Sequence, residues 1–326
     1  MRMRPFGRTG WQVAEVGFGA WAIGGSWGSV SERDAEATIN AMLDSGVNFI
    51  DTADVYGDGR SERLIARVLK ARGGDNVVVA TKAGRGLNPH VAGAYTAEAL
   101  TRFVEGSLKR LQTESLDLVQ LHCPPGEIYY RPEVFECLDR LAAAGKIAHY
   151  GVSVEKVEEA IKALEFPIAS VQIIYNIFRQ RPAELFFPLA QKHQVAVIAR
   201  VPLASGLLTG KMRADSRFEA DDHRAFNRHG ESFDVGETFS GVPFEVGLQA
   251  VEELRPVIGD VPMAQFALRW ILMSEAVSVV IPGARNPDQA ASNARAAELP
   301  GLTAEQMEAA RSVYERLIRL HVHQRW

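Results

Sequence analysis

The strongest constraint on the fold of this 326-residue chain is a repeated alternation of short apolar runs with longer helical patterns. Eight runs rich in β-branched residues occur, among them VNFID, NVVVATK, DLVQLH and VAVIAR. Such runs are typical of parallel strands that are buried on both faces. Repeated βα units with right-handed crossovers form either a closed eight-stranded barrel or an open doubly wound sheet. Eight units without a linker-like change in composition favour an α/β fold of the (β/α)8 TIM-barrel type.

Two further segments flank or interrupt this pattern. The opening MRMRPFGRTGWQVAEVGFG predicts an N-terminal β-hairpin that turns at 7–10 and leads into a first barrel strand near 16–19. Ser31, Ser61 and Thr96 are candidate N-caps of helices. The longest region without a predicted strand covers roughly 205–275 and starts with a polar, irregular segment, which predicts a long loop after strand seven. We expect residues 1–326 to form one barrel domain.

Composition excludes several classes of function. A net charge of −4 and the lack of any basic run argue against nucleic acid as a partner. No apolar run approaches the roughly 20 residues of a membrane span, and the N-terminus lacks the apolar region of a signal peptide. Two cysteines give no disulfide framework. We therefore expect a soluble, cytoplasmic protein.

Polar residues stand at nearly every predicted strand end, which in a barrel is where active sites form. They are Trp21 after Gly19, Asp51 with Tyr56, Lys82, His122, Ser153, Gln172, Arg200, and Gly283 with Arg285. Taken singly, each has an ordinary structural explanation, such as a turn cap for Asp51 or a packing residue for Tyr56. Lys82 is harder to explain, because a buried ammonium costs several kcal/mol unless it is paired. Asp51, at the end of the neighbouring strand, is the expected partner.

Asp51, Tyr56, Lys82 and His122 together predict a proton-donor site. A phenol is a weak acid, with an unperturbed pKa of about 10. We expect the Lys82 ammonium to lower the pKa of Tyr56, while Asp51 holds the lysine and His122 orients a substrate oxygen. The sequence contains no HExxH or CxxC metal motif. A site of this kind needs an external reductant, and a nicotinamide cofactor is the simplest one.

Several stretches of the chain, in order and spanning essentially its whole length, resemble the aldo-keto reductase family. They are GFGAWAIGG, GVNFIDTADVYGDGRSE, TK, LDLVQLH, GKIAHYGVS, VQIIYN, PLASGLLTGK and IPGARNPDQAASN. The resemblance implies an NADPH-dependent reductase of a small aldehyde or ketone. It also implies that Asp51, Tyr56, Lys82 and His122 are the catalytic tetrad, with Tyr56 as the general acid.

The same resemblance implies where the cofactor binds. Residues expected to hold the nicotinamide carboxamide are Ser153 and Gln172. Residues expected in the loop over the pyrophosphate are Leu203, Gly206 and Lys211. Residues expected at the adenosine and 2′-phosphate end are Gly283, Arg285, Gln289 and Asn293.

Three further positions bear on the pocket. Trp21, grouped with the cofactor-binding residues, matches an aromatic wall of the substrate pocket, to which Trp27 is expected to add. Val154 stands where the family commonly has an asparagine, so one carboxamide contact is expected to be missing. Arg200 stands where the family usually stacks an aromatic ring on the nicotinamide, and its planar guanidinium could cover that ring.

Two other functions compete with carbonyl reduction. One is a non-catalytic, cofactor-binding regulatory subunit, against which the complete tetrad argues. The other is a Schiff-base lyase on a barrel, with Lys82 as the nucleophile. That reading leaves Tyr56 and the stretch IPGARNPDQAASN unexplained. The sequence specifies neither the physiological substrate nor the oligomeric state.

Overall fold

A closed sheet of eight parallel strands forms the centre of the computed structural model, which describes residues 1–25, 30–73 and 76–326. Each strand pairs with the next one along the chain. The strands are β3 (Phe18–Gly19), β4 (Phe49–Asp51), β5 (Val78–Ala83), β6 (Leu116–His122), β7 (Ile147–Ser153), β8 (Ser170–Ile174), β9 (Ala196–Arg200) and β10 (Val277–Val280). Parallel bridges join Val16 to Val280 and Gly19 to Gly283, and so bring the last strand against the first. The predicted TIM-barrel architecture is confirmed.

Helices surround this sheet, and neighbouring ones contact each other, for example Glu32–Asp44 with Arg60–Arg72 and Arg60–Arg72 with Ala97–Leu111. Their bounds are α1 (Trp21–Gly24), α2 (Glu32–Asp44), α3 (Arg60–Arg72), α4 (Ala97–Leu111), α5 (Pro132–Ala143), α6 (Val157–Ala163), α7 (Phe186–Lys192), α8 (His223–Phe226), α9 (Phe244–Ile258), α10 (Met263–Leu272), α11 (Pro287–Ala294), α12 (Ala304–Val313) and α13 (Arg319–Val322). Within the described residues, no helix is both long and apolar enough to cross a membrane.

The predicted helix starts are confirmed at two of three positions. The side chain of Ser31 accepts from the amide of Asp34, and that of Thr96 accepts from the amide of Ala99. The prediction for Ser61 is wrong, because Gly59, with φ of 74°, caps α3 in a left-handed conformation. Ser61 lies inside the first turn, where its buried hydroxyl bonds the hydroxyl of Thr52 at 2.8 Å.

The predicted hairpin is formed by β1 (Met3–Pro5) and β2 (Gln12–Ala14). Phe6 and Val13 are fully buried and pack with side chains from inside the barrel, among them Phe49. Gly7, at the turn, has φ of 55°, and a Cβ there would lie 2.7 Å from the backbone nitrogen of Ala196. A larger residue at position 7 would therefore push the hairpin off the barrel.

The long loop after the seventh barrel strand is confirmed between β9 and α9, with the short helix α8 and tight turns at Val235–Glu237 and Phe239–Gly241. One polar contact fixes the loop to the segment after β8, and another joins two parts of the loop itself. The amide of Asn176 donates to the Ser240 hydroxyl at 2.8 Å, and the Ser205 hydroxyl donates to the Glu237 carbonyl at 3.0 Å. These bonds hold the segment 235–241 over the carboxyl ends of the strands.

Candidate active site

A cavity of about 790 Å³ lies at the carboxyl ends of the barrel strands and continues beneath the long loop. It collects almost all of the site residues predicted from the sequence. Those that line it are Trp21, Asp51, Tyr56, His122, Ser153, Gln172, Arg200, Leu203, Gly206, Lys211, Gly283, Arg285, Gln289 and Asn293. Lys82, the remaining predicted residue, is buried and bonded to two of them. The barrel topology therefore brings the predicted residues together.

Lys82, at the end of β5, is held by three oxygen acceptors. Its Nζ donates to Asp51 Oδ1 at 2.5 Å, to the carbonyl of Thr52 at 2.8 Å, and to the hydroxyl of Tyr56 at 3.2 Å. Burial works to lower the pKa of Lys82, but the Asp51 carboxylate and Tyr56 raise it above its ordinary value. The side chain is therefore a charged ammonium, paired with Asp51 as the sequence predicted.

Asp51 is in turn held by two glutamine amides. Gln172 Nε2 donates to Asp51 Oδ2 at 2.7 Å, and Gln120 Nε2 donates to the same oxygen at 3.1 Å. The Ser153 hydroxyl donates to Gln172 Oε1 at 3.5 Å. Sequence analysis missed Gln120. Its signal was a polar residue two positions before His122 in a mostly apolar strand, and this spacing places both side chains on one face.

Tyr56 lies just after β4, in a turn that depends on glycine. Gly57 has φ of 64°, and a Cβ there would overlap the carbonyl oxygen of Gly24. Burial raises the pKa of Tyr56 to about 12, although the Lys82 ammonium works to lower it. The expectation of a lowered Tyr56 pKa is thus wrong for this state, because burial raises this pKa by more than the Lys82 ammonium lowers it. The phenol is neutral at physiological pH and carries the proton that a general acid needs.

His122, at the end of β6, faces the cavity with its ring centre 6.0 Å from that of Tyr56. Burial, with the nearby cations Arg85 and Lys82, holds its pKa well below the ordinary value. The imidazole is therefore neutral. Its Nδ1 is buried and has no hydrogen-bond partner within the described parts of the chain.

An aromatic wall covers the other side of Tyr56. The ring of Trp21 stacks beside it with centroids 6.2 Å apart, and His223 from the long loop lies 4.8 Å from Trp21. Trp21 therefore lines the cavity beside Tyr56, and its role in a substrate pocket stays a prediction. Trp27 lies outside the described residues.

Arg200, at the end of β9, is held by acidic and carbonyl groups. Its Nη2 donates to Glu155 Oε2 at 2.8 Å and to the carbonyl of Val154 at 3.0 Å. Its Nη1 lies 3.7 Å from Glu237 Oε1, in the long loop. Glu155 and Glu237 were not among the predicted site residues. The position of Glu155 just after β7 was a usable signal, whereas nothing in the sequence indicated where the loop would place Glu237.

The far end of the cavity lies at the start of α11. The side chain of Asn286 caps this helix by accepting from the amide of Gln289 at 2.9 Å. The Gln289 side chain accepts from the amide of Arg285 at 2.9 Å, and Asn293 donates to the carbonyl of Gly283 at 3.1 Å. Arg285 is exposed just before the helix N-terminus, as the sequence predicted. Helix N-termini favour anions, so this end of the cavity is suited to a phosphate.

Comparison with known proteins places this geometry in one family. The model of the aldo/keto reductase family matches residues 15–315. The chain is 34% identical over 289 residues to the aldo-keto reductase YhdN of Bacillus subtilis, covering 86% of this chain and 84% of that protein. It is 30% identical over 337 residues to a probable voltage-gated potassium channel subunit beta of Oryza sativa, covering 97% of each chain. Both similarities span most of the barrel.

A solved structure supports the same grouping. The glycerol dehydrogenase AKR11B4 from Gluconobacter oxydans superposes with a TM-score of 0.77 at 32% identity. The match covers 97% of this chain and 96% of that one.

Proposed function

The chain belongs to the aldo/keto reductase family, and we propose that it reduces an aldehyde or ketone with NADPH, with Tyr56 as the general acid. The observation that carries the proposal is the position of Lys82 Nζ, which contacts both the Asp51 carboxylate and the Tyr56 hydroxyl. A neutral phenol beside a fixed ammonium can give up its proton, because the ammonium stabilises the phenolate that is left.

His122 supports this role by its charge state. A neutral imidazole donates a single hydrogen bond from one ring nitrogen, and it adds no proton acid that competes with Tyr56. We propose that His122 donates this bond to the carbonyl oxygen of the substrate and holds that oxygen near the Tyr56 hydroxyl. The ring arrangement leaves the space between Tyr56, His122 and Trp21 for the carbonyl group.

The residues along the cavity fit a nicotinamide dinucleotide. Arg200 Nε is buried and has no hydrogen-bond partner among the described residues, although it belongs to a side chain that lines the cavity. We propose that Ser153 and Gln172 hold the carboxamide, that Arg200 covers the ring, and that Leu203, Gly206 and Lys211 lie along the pyrophosphate. When bound, NADPH supplies the hydride for the reduction.

Preference for NADPH over NADH depends on the end of the cavity at the start of α11. Arg285 stands before the α11 N-terminus, among the cavity-lining residues Gly283, Gln289 and Asn293. A guanidinium next to a helix N-terminus matches the shape and charge of a 2′-phosphate. We propose that Arg285 binds this phosphate.

The same geometry bears on the two competing functions, a Schiff-base lyase and a regulatory subunit. A Schiff-base lyase needs a neutral lysine nucleophile, and the raised pKa of Lys82 with its three oxygen partners disfavours that role. A regulatory subunit gains support from the similarity to the rice channel subunit. The complete set of Asp51, Tyr56, Lys82 and His122 around one cavity favours an enzyme.

An activity screen of the purified protein tests the proposal. Aliphatic, aromatic and sugar aldehydes would each be offered with NADPH and with NADH, and oxidation of the nucleotide followed by absorbance. We expect turnover with NADPH for at least one aldehyde class. Tight binding of NADPH without turnover of any carbonyl compound would instead support the regulatory subunit.

A further inference from the structure

A buried group of two carboxyls and two guanidiniums lies against the cavity. We call it the acid–arginine cluster, and its members are Arg85, Glu155, Arg200 and Glu237. Arg200 contacts Glu155 at 2.8 Å and Glu237 at 3.7 Å, and Arg85 Nη1 contacts Glu237 Oε1 at 3.2 Å. Both carboxylate side chains are largely buried, at 14% and 9% exposure. The cluster joins the end of β9 to the long loop.

The two carboxyls of the cluster lie close to each other. An oxygen of Glu155, an oxygen of Glu237 and the sulfur of Cys123 all lie within 4.8 Å of one another. Two buried carboxylates at such a distance repel each other, and this repulsion favours a proton on one of them. Burial and Glu237 raise the pKa of Glu155 to about 7 against the effect of Arg200, whereas Arg85 and Arg200 overcome burial and lower the pKa of Glu237 to about 2.

Other ionisable groups face the pair from the surrounding elements. They are Tyr56 after β4, Cys123 after β6, Tyr129 in the following turn, Glu159 in α6, Arg179 after β8, and His223 and Asp234 in the long loop. Burial raises the pKa of Cys123 and of Tyr129 far above neutrality. Within the Glu155–Glu237 pair, Glu155 is therefore the carboxyl whose charge changes near pH 7.

We propose that the Glu155–Glu237 pair stores one proton that sets the charge beside the nicotinamide, so that binding of NADP+ releases a proton that binding of NADPH leaves in place. The inference rests on the proposed function, because it needs Arg200 to lie at the nicotinamide ring. The oxidised ring is a cation and the reduced ring is neutral. With its proton in place, the cluster carries two cationic and one anionic group; without it, the charges balance.

The direction of the effect follows from this charge balance. A cationic ring next to the cluster favours the form without the proton, so NADP+ lowers the proton affinity of Glu155. The released proton goes to solvent. By linkage, the affinity for NADP+ increases as the pH rises through about 7, whereas the affinity for NADPH does not change with the protonation of Glu155. Low pH therefore favours release of the oxidised cofactor.

Calorimetric titration tests the proposal directly. NADP+ and NADPH would each be titrated into the wild-type protein at pH 7, in two buffers with different enthalpies of ionisation, to count the protons released. We expect NADP+ to release about 0.4 protons more per site, the value for a carboxyl whose pKa falls by one from about 7. The ratio of NADP+ to NADPH affinity should rise about fivefold from pH 6 to pH 8. A phosphate monoester also titrates near pH 6, but both nucleotides carry it, so it cancels in the comparison.

Two variants separate the pair from other sources of protons. Glu155→Gln should abolish the difference in proton release and flatten the affinity ratio against pH. Glu158→Gln, an exposed acid paired with Arg181 outside the cluster, should leave both unchanged. Equal proton counts for the two nucleotides in the wild type, or an unaltered difference in Glu155→Gln, would overturn the inference. The wild-type count decides even if the variant does not fold. Failure to bind either nucleotide would instead overturn the proposed function.

Discussion

The Nζ of Lys82 lies 3.2 Å from the hydroxyl oxygen of Tyr56 and 4.9 Å from the centre of its ring. The ammonium therefore acts on the oxygen, where the charge of a phenolate would develop. Because the same nitrogen is held by Asp51, we expect a change at any of these three residues to affect the proposed proton donor.

Tyr56→Phe should abolish carbonyl reduction and leave cofactor affinity nearly intact, because only the hydroxyl is lost. Removal of a general acid typically lowers the rate by about 10² to 10⁴. Steady-state rates and fluorescence titration with NADPH would measure the two effects. More than about a tenth of wild-type activity in the variant would contradict the role of Tyr56.

Lys82→Met should reduce turnover at least as much as Tyr56→Phe and should also destabilise the fold. It leaves the Asp51 carboxylate buried and without its cation, which costs about 3–5 kcal/mol for a buried pair. Thermal and denaturant unfolding would show the loss. Lys162→Met is the matched control, because its partner Glu165 is exposed and such pairs contribute about 0–1 kcal/mol. Equal stabilities of the two variants would show that Lys82 is not structurally paired.

Arg285→Ala should weaken NADPH binding by roughly ten- to a hundredfold, the equivalent of about 1.5–3 kcal/mol for a hydrogen bond to a charged group. NADH affinity should barely change, since NADH has no 2′-phosphate. Arg295→Ala, an exposed arginine at the other end of α11, serves as the control. Equal losses for both nucleotides, or a wild-type preference for NADH, would refute the assignment.

Arg200→Tyr should shift the ratio of oxidised to reduced cofactor affinity, because an uncharged ring would replace the guanidinium at the nicotinamide end. The variant also leaves Glu155 without its closest cation, so we expect a lower melting temperature. Binding titrations with NADP+ and NADPH measure the first effect. An unchanged ratio of NADP+ to NADPH affinity, together with reduced stability, would show that Arg200 binds Glu155 and Glu237 but does not act on the nicotinamide.

The pH dependence of stability should report on Glu155. Its pKa of about 7 in the folded protein lies above its ordinary value of 4.5, so the folded state binds this proton more strongly. The resulting stabilisation is complete below about pH 4.5 and is lost as the pH rises through 7, with an upper bound of about 3 kcal/mol. Unfolding of Glu155→Gln should therefore depend less on pH between 5 and 8 than unfolding of the wild type or of Glu158→Gln. Identical pH profiles for the wild type and Glu155→Gln would show that the Glu155 carboxyl is exposed to water.

The barrel and the pairing of Asp51 with Lys82 could be predicted because both follow from local pattern. Apolar runs of strand length fix the order of the strands, and parallel strands end on one side of the sheet. Polar residues that follow successive runs therefore meet. Gln120 obeys the same rule, and strict attention to the two-residue period of β6 would have included it.

Other features depend on contacts between distant parts of the chain. Glu237 reaches Arg85 and Arg200 only because the long loop folds back over the strand ends, and an irregular segment carries no periodic signal of its path. The raised pKa of Tyr56 likewise depends on how completely the surrounding side chains exclude water. Ser61 was misplaced since the left-handed turn at Gly59 starts the helix two residues earlier.

The hairpin lies at the opposite end of the barrel from the candidate active site, so different residues determine stability and reactivity. Phe6 and Val13 fill the bottom of the barrel, and Gly7 lies against the backbone near Ala196, far along each strand from the proposed catalytic residues. We expect substitutions in the hairpin to change the stability of the fold, whereas substitutions at the carboxyl ends of the strands should change the reaction. A protein engineer could therefore raise heat tolerance by redesigning β1 and β2 and, independently, retune substrate choice at the opposite face.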